Sequence, residues 1–561
     1  MAARRIVIIG GVAAGPKAAA RARRVDPAAE ITLLEKGRLV SYGSCGLPFF
    51  LAGLVDSLTG LRSTPAGVVR DEEFFWREKR VRVLTGTEAE EIDVGRRLVR
   101  ARRDGELLTL PYDRLIIATG SVPLRPPIDG LDQEGVFGLH RPGDAEALRS
   151  VLARGRRVVV VGGGMIGLEV ADALATRRVH VTVCEAARHL LPGLLDGDLA
   201  RLLESRLRAA GVNVVTGQPV TAITRGDGCL RVHAPDWEGE ADLVVVACGV
   251  RPEVGLAARA GVEIGPTGAI AVDGRQATGV EDVFAAGDCC ESTHLVTGGK
   301  TWLPLASTAS KQGRVAGTNA AGGEDWFPGV VGTAVLQVAE HNVARTGLGE
   351  EEARRLGYEA VGAMVTGLDA AHYYPDHAPL ALKVVADARD GRLLGAQAMG
   401  LGEVVKRIDV LATAISCGAT LDRVAHLDLG YAPPFATALD ICLHALNQLR
   451  NRRQGLARPV RAAELKALLS GPRPPLVVDV RTREEYEERR LPCGVLHIPL
   501  GELRDRLEEV RAARAPGQEI VAVCEMGVRG FEAQCVLDAA GLGPARYLEG
   551  GIWAWPYGLH T

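Results

Sequence analysis

Two stretches of the chain repeat one rhythm. RRIVIIGG at 4–11 and RRVVVVGGG at 156–164 are β-branched runs that end in glycine; each leads into an Ala-rich or amphipathic stretch and then a second apolar run, ITLL and HVTV. That order predicts strand, tight turn, helix and strand, a βαβ unit, and its recurrence predicts an internal duplication. Between about 326 and 450 the glycine turns cease. LALKVVADARDGRLLGAQAMG in that region predicts two strands around a hairpin at Asp390-Gly391. NQLRNRRQGLARPV, 447–460, is charged and poor in apolar periodicity, which predicts a linker. The last hundred or so residues alternate strand and helix patterns, implying a parallel sheet covered on both faces. The chain reads as four units of α/β class.

Composition adds exclusions. With 561 residues, 47% hydrophobic and 24% charged, the chain is long enough for several domains. Its 66 basic and 69 acidic groups form no dense basic run, so neither nucleic acid nor an anionic membrane is expected as a partner. The opening MAARRIVIIGGVAAGPKAAA imitates a secretory signal, but its glycines sit where a strand-to-helix turn needs them, and no other stretch approaches a membrane span. The 11 cysteines are scattered without metal-ligand spacing apart from the neighbours Cys289 and Cys290, so no metal site is expected, and a reducing compartment, the cytoplasm, is.

Each glycine turn is followed by an acid at the distance a nucleotide ribose requires. Gly10, Gly11 and Gly15 precede Glu35, with Val12 in the place of the second glycine, while Gly162, Gly164 and Gly167 form the full G-x-G-x-x-G before Glu185. Such a turn brings backbone close to a pyrophosphate and aims helix N–H groups at it. Glu185 would bond a ribose 2′-hydroxyl and oppose a 2′-phosphate, favouring NADH, with NADPH possible because Arg188 stands nearby in sequence. With ATG at 118–120 and VFAAGD at 283–288, the sequence resembles the two-dinucleotide pyridine nucleotide-disulfide oxidoreductases over residues 4 to about 450. The likeness implies FAD on Gly10, Gly11, Val12, Ala13, Ala14, Gly15, Glu35, Ala118, Thr119, Gly120 and Asp288. It implies the nicotinamide cofactor on Gly162, Gly163, Gly164, Met165, Ile166, Gly167 and Glu185, with Lys36, Gly249 and Ala306 among the further cofactor contacts.

SYGSCGLPFF, 41–50, carries one cysteine, Cys45, and the next is Cys184. A disulfide-reducing flavoprotein usually has two close cysteines, so Cys45 must pair with something else. Pro48 in the first turn of an apolar segment predicts a helix whose N-terminus lies near the sulfur and favours thiolate. The S-x-x-x-C-G-L-P pattern resembles the single-cysteine branch, which contains coenzyme A-disulfide reductases, persulfide reductases and oxygen or peroxide reductases. Ala13, where the peroxidase type has histidine, points to the thiol-handling members. HYYPDHAPLALKV and DLGYAPPF resemble segments that bring tyrosines, here Tyr373 and Tyr431, to the cysteine from a partner subunit, implying a homodimer. Lys17, Arg21 and Arg24 match positions that receive coenzyme A phosphates, and Ser41, Ser44 and Lys79 complete the implied substrate contacts. Ser44 and Phe49 depart from the usual Asn and Tyr.

The C-terminal unit resembles a rhodanese through DVRTREEYEERRLP, VLHIPLGEL, the Cys524 loop and LEGGIWAW. CEMGVR is Cys-x4-Arg, from Cys524 to Arg529, a length suited to sulfur transfer; its backbone amides would turn inward around the sulfur. Gly530 and Cys493-Gly494 depart from the pattern. The resemblances together imply two Rossmann-like dinucleotide-binding domains, an α+β dimerisation domain and a rhodanese-like α/β domain. They divide the chain into FAD-binding parts at 1–120 and 250–325, an NAD(P)H-binding part at 121–249, dimerisation at 326–450, a linker at 451–459 and rhodanese at 460–561. The implied reaction is NADH-driven reduction of a coenzyme A persulfide, polysulfide or disulfide through Cys45, coupled to sulfur transfer at Cys524. The alternative is an NADH oxidase or peroxidase with a sulfenic Cys45 and the C-terminal unit as an interaction domain.

Overall fold

The computed structural model describes residues 3–152 and 157–560. They form two compact units, Met1–Ala186 with Gln218–Val330 and Ala187–Gly217 with Val331–Thr561.

The first unit carries two parallel sheets. In one, the strands run 283–285, 114–117, 5–9, 30–34, 81–84. Ile6, Ile8, Leu33 and Ile116 face one core and Val7, Leu34, Leu115 and Ile117 the other, so alternate residues of these apolar strands are buried on opposite faces. Helices Ala14–Val25 and Ala306–Ala320 cover the first face, and glycine lets them touch. A Cβ on Gly313 would stand 2.4 Å from the Ala14 carbonyl oxygen, and one on Gly317 2.4 Å from that of Ala18. The other sheet runs 180–185, 157–161, 243–246, 136–138, also parallel.

The second unit contains an antiparallel sheet in the order 334–338, 341–347, 393–400, 379–387, 360–368. The hairpin expected at Asp390-Gly391 joins 379–387 to 393–400, with Gly391 at φ +76°. A parallel sheet follows, 459–460, 546–548, 520–523, 476–479, 495–497, with apolar cores on both faces.

The expected linker is only partly loop. Helix Ile441–Arg453 covers the first half of 447–460, held by buried Leu446 and Leu449. Beyond it Ala457 is buried, and Arg458 bonds Gln534 and Asp538. Four units were expected where compactness gives two, and buried charge explains part of the difference. Lys383, 1% exposed, places its Nζ 2.8 Å from Asp196, 2.7 Å from Asp198 and 3.2 Å from Glu350. Arg461, at the start of the last α/β region, pairs with the same Glu350 and with Glu549. Breaking one partner out of such a buried set strands the others, so the set resists separation. Among the described residues, no helix is long and apolar enough to cross a membrane.

Candidate active site

The two glycine turns repeat each other atom by atom. Gly10 N donates to Leu34 O at 2.8 Å, and Gly162 N to Cys184 O at 2.8 Å; Ala118 N reaches Ile9 O at 2.7 Å, and Ala247 N reaches Val161 O at 2.8 Å. Both first glycines have positive φ, +109° and +113°, and a Cβ there would lie 2.0 Å from Ala118 O or 2.4 Å from Ala247 O. Gly15 and Gly167 pack on the preceding turn, where a Cβ would come within 1.9 and 2.0 Å of the Gly10 and Gly162 carbonyl oxygens. These are backbone approaches that no other residue permits.

The acids behave alike too. Glu35 accepts from Gly11 N at 2.6 Å and Gly37 N at 2.6 Å, and Glu185 accepts from Gly163 N at 2.7 Å. Burial raises the pKa of Glu35, with the Gly37 and Gly11 amides opposing it. A carboxylate has about four lone-pair sites, so Glu35, with these two amides on it, keeps acceptors for further donors.

A dinucleotide fits both turns. The helices after them, Ala14–Val25 and Met165–Thr176, begin without a side-chain cap, leaving first-turn N–H groups for phosphate oxygens. No heavy atom lies within 4 Å of where a Cβ would stand on Gly164 or Gly120. Val12 and Ala13 line the turn ahead of helix Ala14–Val25, and Met165 and Ile166 form the start of helix Met165–Thr176 directly after Gly164. Asp288 takes the Ser121 hydroxyl at 3.0 Å and is raised by burial, which the Ser121 bond opposes; its carbonyl accepts from the Trp302 indole at 2.7 Å. Thr119 bonds Glu253 O at 2.6 Å, Gly249 O takes the Leu124 amide, and Ala306 opens its helix exposed. Lys36 is exposed and pairs with Glu88 at 2.7 Å.

Cys45 is exposed, in the short turn Ser44–Gly46 ahead of helix Leu47–Ala52. Gly46 allows this close turn, since a Cβ there would meet the Leu61 side chain at 2.3 Å. Ser41 stands beside it buried at φ +53°, a left-handed conformation that is costly for serine, with its amide on Gly11 O at 2.8 Å. The helix N-terminus was expected to hold the thiol's pKa down, and the protein's groups do the reverse. Desolvation pushes it up first, Glu169 and Asp288 add to that, and a bond from the Ser44 side chain opposes it. A helix of six residues, two positions away, is too weak a dipole to reverse that balance.

Glu169 is a residue that the sequence reading missed. It lies on helix Met165–Thr176, which packs on helix Leu47–Ala52, and burial raises its pKa to about 7. An acid two residues past Gly167, on the helix that leaves the glycine turn, was the available signal.

Three of the expected substrate cations, Lys17, Arg21 and Arg24, follow one another along one face of helix Ala14–Val25. Lys17 and Arg24 are exposed, Arg24 bonds Ala20 O at 2.9 Å, and Arg21 bonds Thr318 Oγ1 at 2.9 Å. Lys79 sits over the Phe74 ring at 5.5 Å. In the second unit Tyr373 and Tyr431 are 64% and 51% exposed, and the neighbouring Tyr431 hydroxyl raises the pKa of Tyr373.

Cys524 is fully buried and accepts from Gly527 N at 3.0 Å and Gly530 N at 3.1 Å, the inward amides expected of the loop. Gly530, a departure in sequence, supplies one of them. Burial pushes the thiol up, and the amides of Gly530, Met526 and Gly527 with the Arg529 charge pull it back. Arg529 itself holds Glu485 through two bonds of 2.7 and 2.6 Å.

Comparison with known proteins matches these parts. Residues 4–313 fit the pyridine nucleotide-disulphide oxidoreductase family, 333–441 its dimerisation domain and 461–556 the rhodanese-like domain. A Pyrococcus abyssi protein named NAD(P)H sulfur oxidoreductase (CoA-dependent) is 37% identical over 438 residues, 78% of this chain and 96% of its own. The structure of an NAD-dependent persulfide reductase from A. fulgidus superposes with a TM-score of 0.93 at 43% identity, covering 98% of this chain and 100% of that one. Reduced CoADR-RHD from Bacillus anthracis gives 0.89 at 30% identity, covering 99% and 98%.

Proposed function

The chain belongs to the pyridine nucleotide-disulphide oxidoreductase family, and we propose that it is an FAD-dependent enzyme that uses NADH to reduce a coenzyme A persulfide or polysulfide, and coenzyme A disulfide, with a sulfurtransferase domain on the same chain. One observation carries this reading: among the described cysteines of the first unit Cys45 is the one that is exposed, and it has no cysteine near it in sequence, so its sulfur is free to pair with that of a substrate.

In this reading Gly10–Gly15, Glu35, Ala118–Gly120 and Asp288 would hold FAD, and Gly162–Gly167 with Glu185 the nicotinamide nucleotide. Bound there, the cofactors supply the electron pair that no side chain of the protein can. Cys45 thiolate attacks the coenzyme A-bearing sulfur of a persulfide and expels hydrosulfide, leaving a Cys45–coenzyme A disulfide. Two electrons and a proton then return Cys45 to thiolate and release coenzyme A thiol. The sum is persulfide, NADH and a proton giving thiol, hydrogen sulfide and NAD⁺. Ser44, the neighbour that lowers the thiol's pKa, would bond the sulfur during this cycle.

A second copy of the chain completes the assembly in this reading. Support comes from the dimerisation-domain match and from exposed Tyr373, Tyr431 and Phe435, the last 66% exposed. Lys17, Arg21 and Arg24 would take coenzyme A phosphates as separate cations along one helix. Anaerobic NADH turnover with coenzyme A persulfide, coenzyme A disulfide and hydrogen peroxide, compared side by side, tests the reading. Sulfide release from the persulfide at the highest kcat/KM is expected. Faster peroxide reduction would replace the reading with a sulfenic-acid peroxidase.

A further inference from the structure

A loop that turns amides inward around a sulfur must turn carbonyls outward, and buried carbonyls need donors. Cys524 O takes the Ile552 amide at 2.9 Å and Glu525 O the Trp553 amide at 3.0 Å, both from the same α/β domain. Met526 O is served from elsewhere in the unit. Its donor is the Thr366 hydroxyl at 3.0 Å, from strand Ala360–Leu368 of the antiparallel sheet. The same hydroxyl donates to Gly550 O at 3.0 Å as well, so its one proton is shared between the two carbonyls, and Thr366 is 4% exposed. Two residues earlier on that strand, Met364 N donates to Glu549 at 3.0 Å, so one face of the strand is seated on the turn beside the cysteine loop.

The bond to Met526 O has a consequence for the sulfur because of peptide planarity. The Met526 carbonyl and the Gly527 N–H belong to one trans peptide and point in opposite directions. With the oxygen held on Thr366, the N–H points the other way, where it lies 3.0 Å from Cys524 Sγ. Gly527 has φ +90°, and glycine is the residue at which such a peptide turns over most readily. A flipped peptide would face the sulfur with a carbonyl oxygen instead of a donor.

We propose that Thr366 is a positioning residue for Cys524: it fixes the 526–527 peptide with its N–H on the sulfur, so the sulfurtransferase loop is completed by the dimerisation sheet. This rests on the reading of Cys524 as the sulfur carrier. The burial that raises the thiol's pKa makes each amide on it count for more.

The test uses the full, flavin-loaded chain with Thr366→Val, which keeps the shape and removes the donor, and Thr366→Ser, which restores it. Alkylation of Cys524 across pH is read by peptide mass spectrometry, with Cys535 on the following helix as internal reference, and thiosulfate-to-cyanide turnover is followed in parallel. Thr366→Val is expected to move the Cys524 profile to higher pH and to lower turnover by on the order of tenfold, as for loss of one hydrogen bond to an anion. Thr366→Ser should match wild type in both, and Cys535 should not move. An unshifted Cys524 profile in Thr366→Val, failure of Thr366→Ser to restore it, or an equal shift at Cys535 would overturn the proposal. If Cys524→Ser kept thiosulfate turnover, the sulfur-carrier reading would fall, while the alkylation comparison, which needs no turnover, would still decide the role of Thr366.

Discussion

Glu169 and Cys45 are electrostatically coupled: the carboxylate's charge opposes ionisation of the thiol, while burial holds the carboxylate's own pKa at about 7. The acid is therefore half protonated near neutrality and fully charged at the alkaline pH where a raised thiol ionises. Replacing it with Gln should let Cys45 ionise at lower pH, though not as low as a solvated thiol, because desolvation is the larger cause. The pH profile of Cys45 alkylation in Glu169→Gln against wild type measures this. An unchanged profile would show that the coupling is absent.

Lys383 is the centre of the buried ion cluster in the second unit, and Lys383→Met removes the cation that Asp196, Asp198 and Glu350 share, leaving Arg461 on Asp198 and Glu350 and Arg354 on Glu350. A loss of about 3–5 kcal/mol in chemical denaturation is expected. The cluster also sets an acid limit. Burial works against ionisation of Asp198 and Glu350, but Lys383 and Arg461 outweigh it and hold both below their ordinary values. Their stabilisation is present above the carboxylate range of the unfolded chain, about pH 4, and is lost as pH falls through the lower folded values. Wild type should lose stability over that acid range, and Lys383→Met should show a shallower loss.

Glu185 should set the choice of nicotinamide nucleotide. It is buried and already bonded to Gly163, so a 2′-phosphate brought to it would meet a fixed negative charge. NADH is expected to give the higher kcat/KM, and Glu185→Ala should narrow the ratio to NADPH by on the order of tenfold or more. Steady-state rates with both nucleotides decide it; a wild-type preference for NADPH would contradict the assignment.

These features differ in how far the sequence discloses them, and the reason is range. The Ala118 and Ala247 oxygens that crowd Gly10 and Gly162 come from far along the chain, but the glycine turns are legible because Gly15 and Gly167 answer to the Gly10 and Gly162 carbonyl oxygens of their own βαβ units. The hairpin at Gly391 is legible for the same reason. Helix Ile441–Arg453 is hidden because Arg450, Arg452 and Arg453 mask the buried Leu446 and Leu449. The direction of the Cys45 pKa is missed because a local helix argument cannot weigh burial and a carboxylate on another helix. Thr366 is invisible in sequence, 160 residues from the Met526 carbonyl that it holds.

Cys524 should matter upstream of Cys45 and not at it. With thiosulfate or polysulfide as donor and free coenzyme A present, Cys524→Ala is expected to slow NADH-dependent sulfide formation by at least about tenfold. Supplied with preformed coenzyme A persulfide, it should match wild type. Equal rates in the first assay would remove Cys524 from the pathway, and loss in both would mean that it supports the reductase site itself.

The central claim is that Cys45 forms the disulfide with substrate sulfur, and the most direct measurement is hydrogen sulfide released per NADH oxidised under anaerobic turnover of coenzyme A persulfide, wild type against Cys45→Ser. The account predicts about one sulfide per NADH in wild type, as the two-electron balance requires, and a loss of several orders of magnitude in Cys45→Ser, as for removal of a nucleophile. Sulfide formation by Cys45→Ser at the wild-type rate would contradict it.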